Sequence, residues 1–307
     1  MKDIIISGVT GFVGSNLKPY LNDQYKINGI SRTPNEKLSI YEYSNVVNLL
    51  KKSTSFIHLS GKSNDLKKTS NLGIYYQANN VLTQKVFDSF LSSNAKVFIT
   101  LSSVKTVADQ VNGELTEDYI PNPITHYGKS KLLAEQYILS QPIPDWKRVY
   151  ILRPCMIHGP GNKGNLNLLY KLVSINIPWP LEAFENKRSF CSIDNLMFII
   201  KELIEREEIP SGIYNVADDE PLSTNELIGL IAQSQNRKPK LWNISKKFIE
   251  GVASIGDKLH LPLNSERLHK LTSSYVVSNA KIKAAIGKPL PVSSKEGLLK
   301  TFKSFNI

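Results

Sequence analysis

Along the first half of the chain, apolar and polar positions follow two alternating rhythms. "DIIISGV" is an unbroken apolar run closed by glycine, the pattern of a strand buried on both faces. "FVGSNLKPYLND" then spaces its apolar residues at three and four, as one helix face requires. "YKINGIS" and "TSFIHLSG" predict two further strands. "IYYQANNVLTQKVFDSFLSS" predicts a helix leading into the strand "KVFITLSS", and "THYGKSKLLAEQYILSQ" a helix leading into "RVYILRP". Strands exchanging with helices in this way predict an α/β fold, a Rossmann-type doubly wound parallel sheet. One residue fits poorly: Pro19 lies inside the first predicted helix, where it removes a backbone hydrogen bond and should bend or end it.

After Arg153-Pro154 the rhythm breaks down. Proline, glycine and asparagine crowd "PGNKGNLN" and "NIPWPLEAFENKRS", as expected of a smaller, irregular C-terminal lobe. "SIDNLMFIIKELIER" reads as one more regular helix. The expected division is therefore a Rossmann domain of residues 1–153, with a returning helix at about 190–206, and a substrate lobe built from 154–189 and 207–307.

Composition narrows the function. The 307 residues are 41% hydrophobic and 21% charged, ordinary for a globular protein. Apolar runs such as Leu196 to Ile200 are too short to cross a bilayer, and Met1-Lys2-Asp3 leads into a strand without a signal-peptide core. Cys155 and Cys191 form no metal-ligand or disulfide pattern, so a cytoplasmic protein without a metal is the expectation. A net charge of +11 asks for an anionic partner. The charge is scattered, with lysine pairs at 51–52, 67–68 and 246–247 and no aromatic residues interleaved for stacking. That argues for an anionic small molecule and against nucleic acid.

The candidate chemistry starts at "SGVTGFVG". Gly8, Gly11 and Gly14 form GxxGxxG between the first strand and the first helix. A tight turn and the close approach of a pyrophosphate both need residues without side chains, and the helix start at Phe12 and Val13 offers free N–H groups. About twenty residues on, a carboxylate would be expected to hold the adenosine ribose. Ser31-Arg32 stands there instead. A hydroxyl and a guanidinium suit a 2′-phosphate, which favours NADP(H) over NAD(H), although an ordinary exposed arginine reads the same way.

In "HYGKSK", Tyr127 and Lys131 lie one helical turn apart and share a face, while Lys129 points elsewhere. A free tyrosine titrates near pH 10. A neighbouring ammonium and a positive nicotinamide ring are expected to lower it toward neutrality, making it a useful proton-transfer group. Ser102 and Ser103 end the strand "VFITLSS", whose tip opens onto the ligand crevice of such a sheet.

"GVTGFVGSNL", "FIHLSG", "ANNVLTQ", "LSSVK", "THYGKSKLLAEQYI", "LRPCMIHGPGNKGN", "NKRSFCSIDNL", "GIYNVADDEPLSTNEL" and "GKPLPVSSKEGLLKT" follow one another almost from end to end. In this order and spacing the chain resembles the extended short-chain dehydrogenase/reductases of the nucleotide-sugar epimerase/dehydratase branch. The resemblance implies Ser103, Tyr127 and Lys131 as a catalytic trio, with Ser102 the alternative register. It implies Leu59, Ser60, Gly61 and Asn80 beside the cofactor, and Lys131 on the nicotinamide ribose. Asn165 and Arg188 match positions that hold the nucleotide-sugar diphosphate. Asn165 could instead cap the helix "LNLLYKLV", and Arg188 could pair with Glu182 or Glu185.

The branch oxidises, reduces, epimerises or dehydrates sugars. Its 4,6-dehydratases carry acidic residues just after the catalytic hydroxyl, where this chain has Val104-Lys105, so dehydration is disfavoured. "LSSVK", "NKRSF" and the tail "SSYVVSNAKI" look most like bacterial UDP-4-keto-6-deoxy-N-acetylhexosamine reductases of surface-polysaccharide synthesis. Ser278 and the long "SSVKTVADQVNGE" stretch depart from that pattern. The expected partner is thus a nucleotide sugar, UDP-linked by likeness, with a homodimer open to the chain. A UDP-sugar 4-epimerase is the close alternative. A non-catalytic NADP(H)-binding sensor or scaffold is the alternative of another class, against which the retained tyrosine and lysine speak.

Overall fold

The computed structural model describes residues 1–63, 72–162, 164–259 and 264–305; the Lys67-Lys68 pair and Lys163 of "GNKGN" lie outside them. Lys2–Ser7, Tyr25–Ile30, Ile40–Tyr41, Ser53–His58, Val97–Leu101, Arg148–Pro154 and Gly212–Val216 form one sheet. Every pairing in it is parallel. From one edge to the other the order is 212–216, 148–154, 97–101, 53–58, 2–7, 25–30, 40–41. Strand order therefore reverses between Lys2–Ser7 and Ser53–His58, and a crevice opens there at the carboxyl ends.

The apolar runs bury because both faces are covered. Ile4 and Ile6 join one core with Leu17, Leu21, Leu196 and Ile200. Ile5, one residue out of phase, joins the opposite core with Phe56, Phe87, Phe90, Phe98 and Ile138. Helices Phe12–Leu21 and Ile193–Glu205 supply the first layer, Leu82–Leu91 and His126–Ser140 the second. The first helix runs through Pro19 and stops at Leu21, as a proline near a C-terminal end allows.

The segment expected to be one long helix contains an irregularity. Gly73–Tyr76 is α-helical, Gln77–Val81 is a π-type turn, and Leu82–Leu91 resumes the α-helix. Such a turn rotates one side chain out of register, here Asn79, which is fully buried.

The lobe has cores of its own, one around Leu166, Tyr170, Phe190, Leu227 and Phe302, another around Trp179, Leu181, Ile228, Ile249 and Leu268. One part of 207–307 lies elsewhere than expected. Gly212–Val216 pairs along Arg148–Pro154 as the sheet's edge strand. Tyr214 and Val216 share the core of Leu196 and Ile200, so this short run completes the sheet rather than the lobe.

Candidate active site

At the first strand-to-helix turn, Gly8 has φ +69°, and a Cβ there would meet Ser60 N at 2.8 Å and Leu59 C at 2.9 Å. At Gly14 a Cβ would come within 2.3 Å of the Gly8 carbonyl oxygen. The turn thus runs hard against the Leu59–Gly61 loop, and only glycine fits both places. No side chain caps helix Phe12–Leu21. Its first N–H groups, including those of Phe12, Val13 and Gly14, are left to an anion. Tyr43, from the turn after strand Ile40–Tyr41, donates to the Ser60 hydroxyl and so anchors the Leu59–Gly61 loop.

Ser31 is buried at the end of Tyr25–Ile30, and its hydroxyl lies 3.3 Å from that of Thr33. Arg32 is exposed beside it and makes no ion pair among the described residues. These groups fit a dinucleotide lying across the crevice.

Ser102 and Ser103 separate cleanly. Ser102 donates to Glu135 beneath the sheet end. Ser103 accepts from Lys105 N at 3.2 Å and lies near enough to the Tyr127 hydroxyl to act on its pKa. Helix His126–Ser140 begins at Thr125, whose side chain accepts from Gly128 N at 3.1 Å, so Tyr127 stands on the first turn. Lys131 is buried one turn further on, whereas Lys129 is exposed.

Lys131 Nζ donates to the Leu101 carbonyl at 2.7 Å. Burial lowers its pKa to about 8, with the Glu135 carboxylate opposing. Tyr127 departs from expectation. Burial raises its pKa, the Ser103 hydrogen bond opposes, and nearby Tyr75 adds to the rise. The protein's own groups hold Tyr127 as a phenol, because desolvation of a phenolate outweighs one hydrogen bond here.

A polar floor supports this corner. Arg153 pairs with Glu135, Nη2 to Oε2 at 2.5 Å and Nε to Oε1 at 3.0 Å, both residues buried. Asn79 accepts from Lys62 N at 2.7 Å and donates to Ser130 Oγ at 3.0 Å. Its amide oxygen and Lys131 Nζ would lie 2.7 and 3.1 Å from a Cβ at Gly61, so that loop sits directly on both. His58 bridges Ser7 at 2.7 Å and Thr83 at 3.1 Å, and burial plus the Lys131 charge lower its pKa to about 3. Asn80, expected near the cofactor, is half-buried and accepts from Gln84 Nε2 at 3.0 Å. Its neighbour Asn79 is the one built into the floor.

On the lobe side, Asn165 is the first residue of helix Asn165–Ser174, and Gly164 occupies the cap position. Arg188 pairs with neither Glu182 nor Glu185. Its guanidinium donates to the Lys270 carbonyl at 3.0 Å, and burial lowers its pKa. Burial lowers the pKa of Lys105, with the Asp109 carboxylate opposing and the Arg188 charge adding to the fall; its Nζ lies 3.0 Å from the Asp109 carbonyl and 4.3 Å from the centre of the Tyr275 ring. Lys105 is thus a further cation beside Ser103, which accepts its backbone N–H, and it faces Asp109 Oδ1 at 3.9 Å. Among the described residues no cluster of three or more His, Cys, Asp or Glu is placed to hold a metal ion.

Residues 4–217 match the model of the NAD dependent epimerase/dehydratase family. A UDP-glucose 4-epimerase of Vibrio cholerae is 29% identical over 99% of this chain and 95% of its own length. Among solved structures, the UDP-glucuronic acid 4-epimerase of Bacillus cereus, in complex with UDP-glucuronic acid and NAD, superposes with TM-score 0.74 at 18% identity over 98% of both chains. RMD from Pseudomonas aeruginosa, complexed with NADPH, superposes with TM-score 0.71 at 18% identity over 99% of both chains. The chain belongs to the NAD dependent epimerase/dehydratase family and is an NAD(P)-dependent enzyme of it.

Proposed function

We propose that the chain reduces the C4 ketone of a UDP-linked 4-keto-6-deoxy-N-acetylhexosamine, with NADPH, in the synthesis of a bacterial surface polysaccharide. The observation that carries this reading is Arg32. It is exposed, and makes no ion pair among the described residues, at the end of the second strand, where an NAD-specific site would place a carboxylate. The raised pKa of Tyr127 supports the same direction, since reduction needs a proton donor at the sugar oxygen and a protonated phenol is one.

When bound, NADPH supplies a hydride to the sugar carbon. Ser103 and Tyr127 hold the C4 oxygen between their hydroxyls, and Tyr127 delivers the proton to it. Lys131, held by the Leu101 carbonyl, orients the ribose and stabilises the phenolate left behind. Arg188 and Asn165 grip the diphosphate, with Lys105 adding positive charge next to Arg188.

A second reading, UDP-sugar 4-epimerase, is favoured by the end-to-end similarity to the Vibrio cholerae enzyme. An epimerase retains NAD, whereas a reductase exchanges its nucleotide each turnover. Freshly purified protein is heat-denatured and the released nucleotide identified. The reductase reading expects little nucleotide, NADPH binding tighter than NADH by ~1–3 kcal/mol, and reversal of that order in Arg32→Asp. Stoichiometric NAD would establish the epimerase instead.

A further inference from the structure

Helix Lys246–Leu259 carries two apolar stripes, and only one of them is packed. Ile249, Ala253 and Gly256 are buried, the first two in the core of Trp179, Leu181, Ile228 and Leu268. On the adjoining face Phe248, Val252, Ile255 and Leu259 keep a spacing of four, three and four. They remain 61%, 36%, 55% and 64% exposed. Just before the helix, Trp242 is 56% exposed. Large apolar side chains aligned in this way are a contact surface, unlike single exposed ones scattered over a protein.

The charge around this stripe is predominantly positive. Arg237, Lys238, Lys240, Lys246 and Lys247 follow one another with no carboxylate between 237 and 247. None of the five forms an ion pair among the described residues. Lys258 lies on the same side of the helix as Lys247. The helix has two acids: Glu250 is exposed, and Asp257 accepts from the Ser265 backbone N–H at 3.0 Å. A tryptophan, an apolar stripe and a row of lysines with hydrocarbon stems form the surface that a helix lying in a membrane interface presents.

We infer that this face docks on a bilayer surface containing anionic lipids. The helix is too short to span, and no helix among the described residues is long and apolar enough to do so, so it lies in the plane of the interface. The chain's net charge of +11 adds attraction. Self-association through the same stripe is opposed by charge, because a two-fold pairing would bring one copy's lysine flank against the other's. The docked face is one helix away from Arg188. Helix Ser265–Thr272 packs against it through Leu268 and offers its Lys270 carbonyl to the Arg188 guanidinium. The inference stands on surface chemistry and does not depend on which sugar reaction the enzyme performs.

The test is flotation of the full chain with phosphatidylcholine vesicles, with and without phosphatidylglycerol. Binding is expected only to the anionic vesicles and should fall at roughly 0.5 M salt. Phe248→Ser/Ile255→Ser and Lys246→Glu/Lys247→Glu should each weaken it by about tenfold or more while retaining NADP(H) binding and the thermal midpoint. Absence of flotation with anionic vesicles, or flotation indifferent to both double variants, would overturn the inference. So would a dimer in sedimentation equilibrium that Phe248→Ser/Ile255→Ser abolishes, which would assign the face to a second copy.

Discussion

The floor beneath Ser103 and the outer face of helix Lys246–Leu259 handle water in opposite ways. Under the sheet ends the protein buries charge and satisfies it: Glu135 receives Arg153 and Ser102, and Lys131 donates to Leu101. On the lobe it leaves hydrocarbon in water with no partner for it. Each arrangement costs stability by itself, the first through desolvation and the second through hydration of apolar surface. The first is held inside the chain, where the cost is offset by geometry and by a defined Tyr127–Ser103 corner. Among the described residues the second has nothing to offset it, which is the ground for inferring a counterpart outside the chain.

The comparison breaks most visibly at Glu135. Glu135→Ala strands the Arg153 guanidinium in the interior and removes the acceptor of Ser102. A loss of ~3–5 kcal/mol in urea denaturation is expected. A loss under ~1 kcal/mol would mean that water reaches Arg153 and that the floor is not dry.

Tyr127→Phe tests what the floor is for. The ring and its contact with Tyr75 remain, and only the hydroxyl facing Ser103 is lost. Turnover should fall by ~10²-fold or more, with cofactor affinity nearly unchanged. Near-normal turnover would remove Tyr127 from the chemistry.

Lys131 gives the floor a pH signature. Its folded pKa of about 8 lies below the ordinary 10.5, so the folded chain releases its proton first. Between those values the unfolded state holds more protons, and stability rises with pH. The contribution is complete above the ordinary lysine value and lost as pH falls through about 8. Lys147, also lowered to about 8, behaves likewise and must be subtracted. The stability of the native chain minus that of Lys131→Met isolates the effect. This difference should climb from pH 8 to 10.5 and stay flat below. A flat difference throughout would mean Lys131 is hydrated.

These two regions also differ in how far the sequence discloses them. The glycine turn and the Tyr127–Lys131 pair are local: their partners lie within a turn or two of chain, so spacing alone carries the chemistry. The floor is not local. Asn79 meets Ser130, and Ser7 meets His58, each across 51 positions, and only the folded sheet brings them together. The family resemblance points to Asn80 beside the cofactor, and a regular helix would not single out Asn79 for the floor. The π-type turn does so. The edge strand Gly212–Val216 escaped the sequence because a five-residue run after Pro210 carries too little pattern to place it in the sheet. The outer helix face was hidden for a different reason. Its buried and exposed stripes both recur at three and four, so periodicity does not tell which stripe meets the core, and in sequence the segment reads as part of an irregular lobe.

That ambiguity gives the smallest expected effect, and it separates the two stripes on one helix. Ile249 is buried against Trp179 and Ile228, so Ile249→Ala removes packed methylenes and should cost ~2 kcal/mol or more. Ile255 lies less than two turns away and is exposed, with no core behind its tip. Ile255→Ala should change the urea midpoint by the equivalent of ~0.5 kcal/mol or less, partly offset by alanine's better helix propensity. Both variants are measured in dilute solution without lipid. If Ile255→Ala costs as much as Ile249→Ala, the outer stripe is already covered in solution, and the contrast between a satisfied interior and an unsatisfied surface disappears.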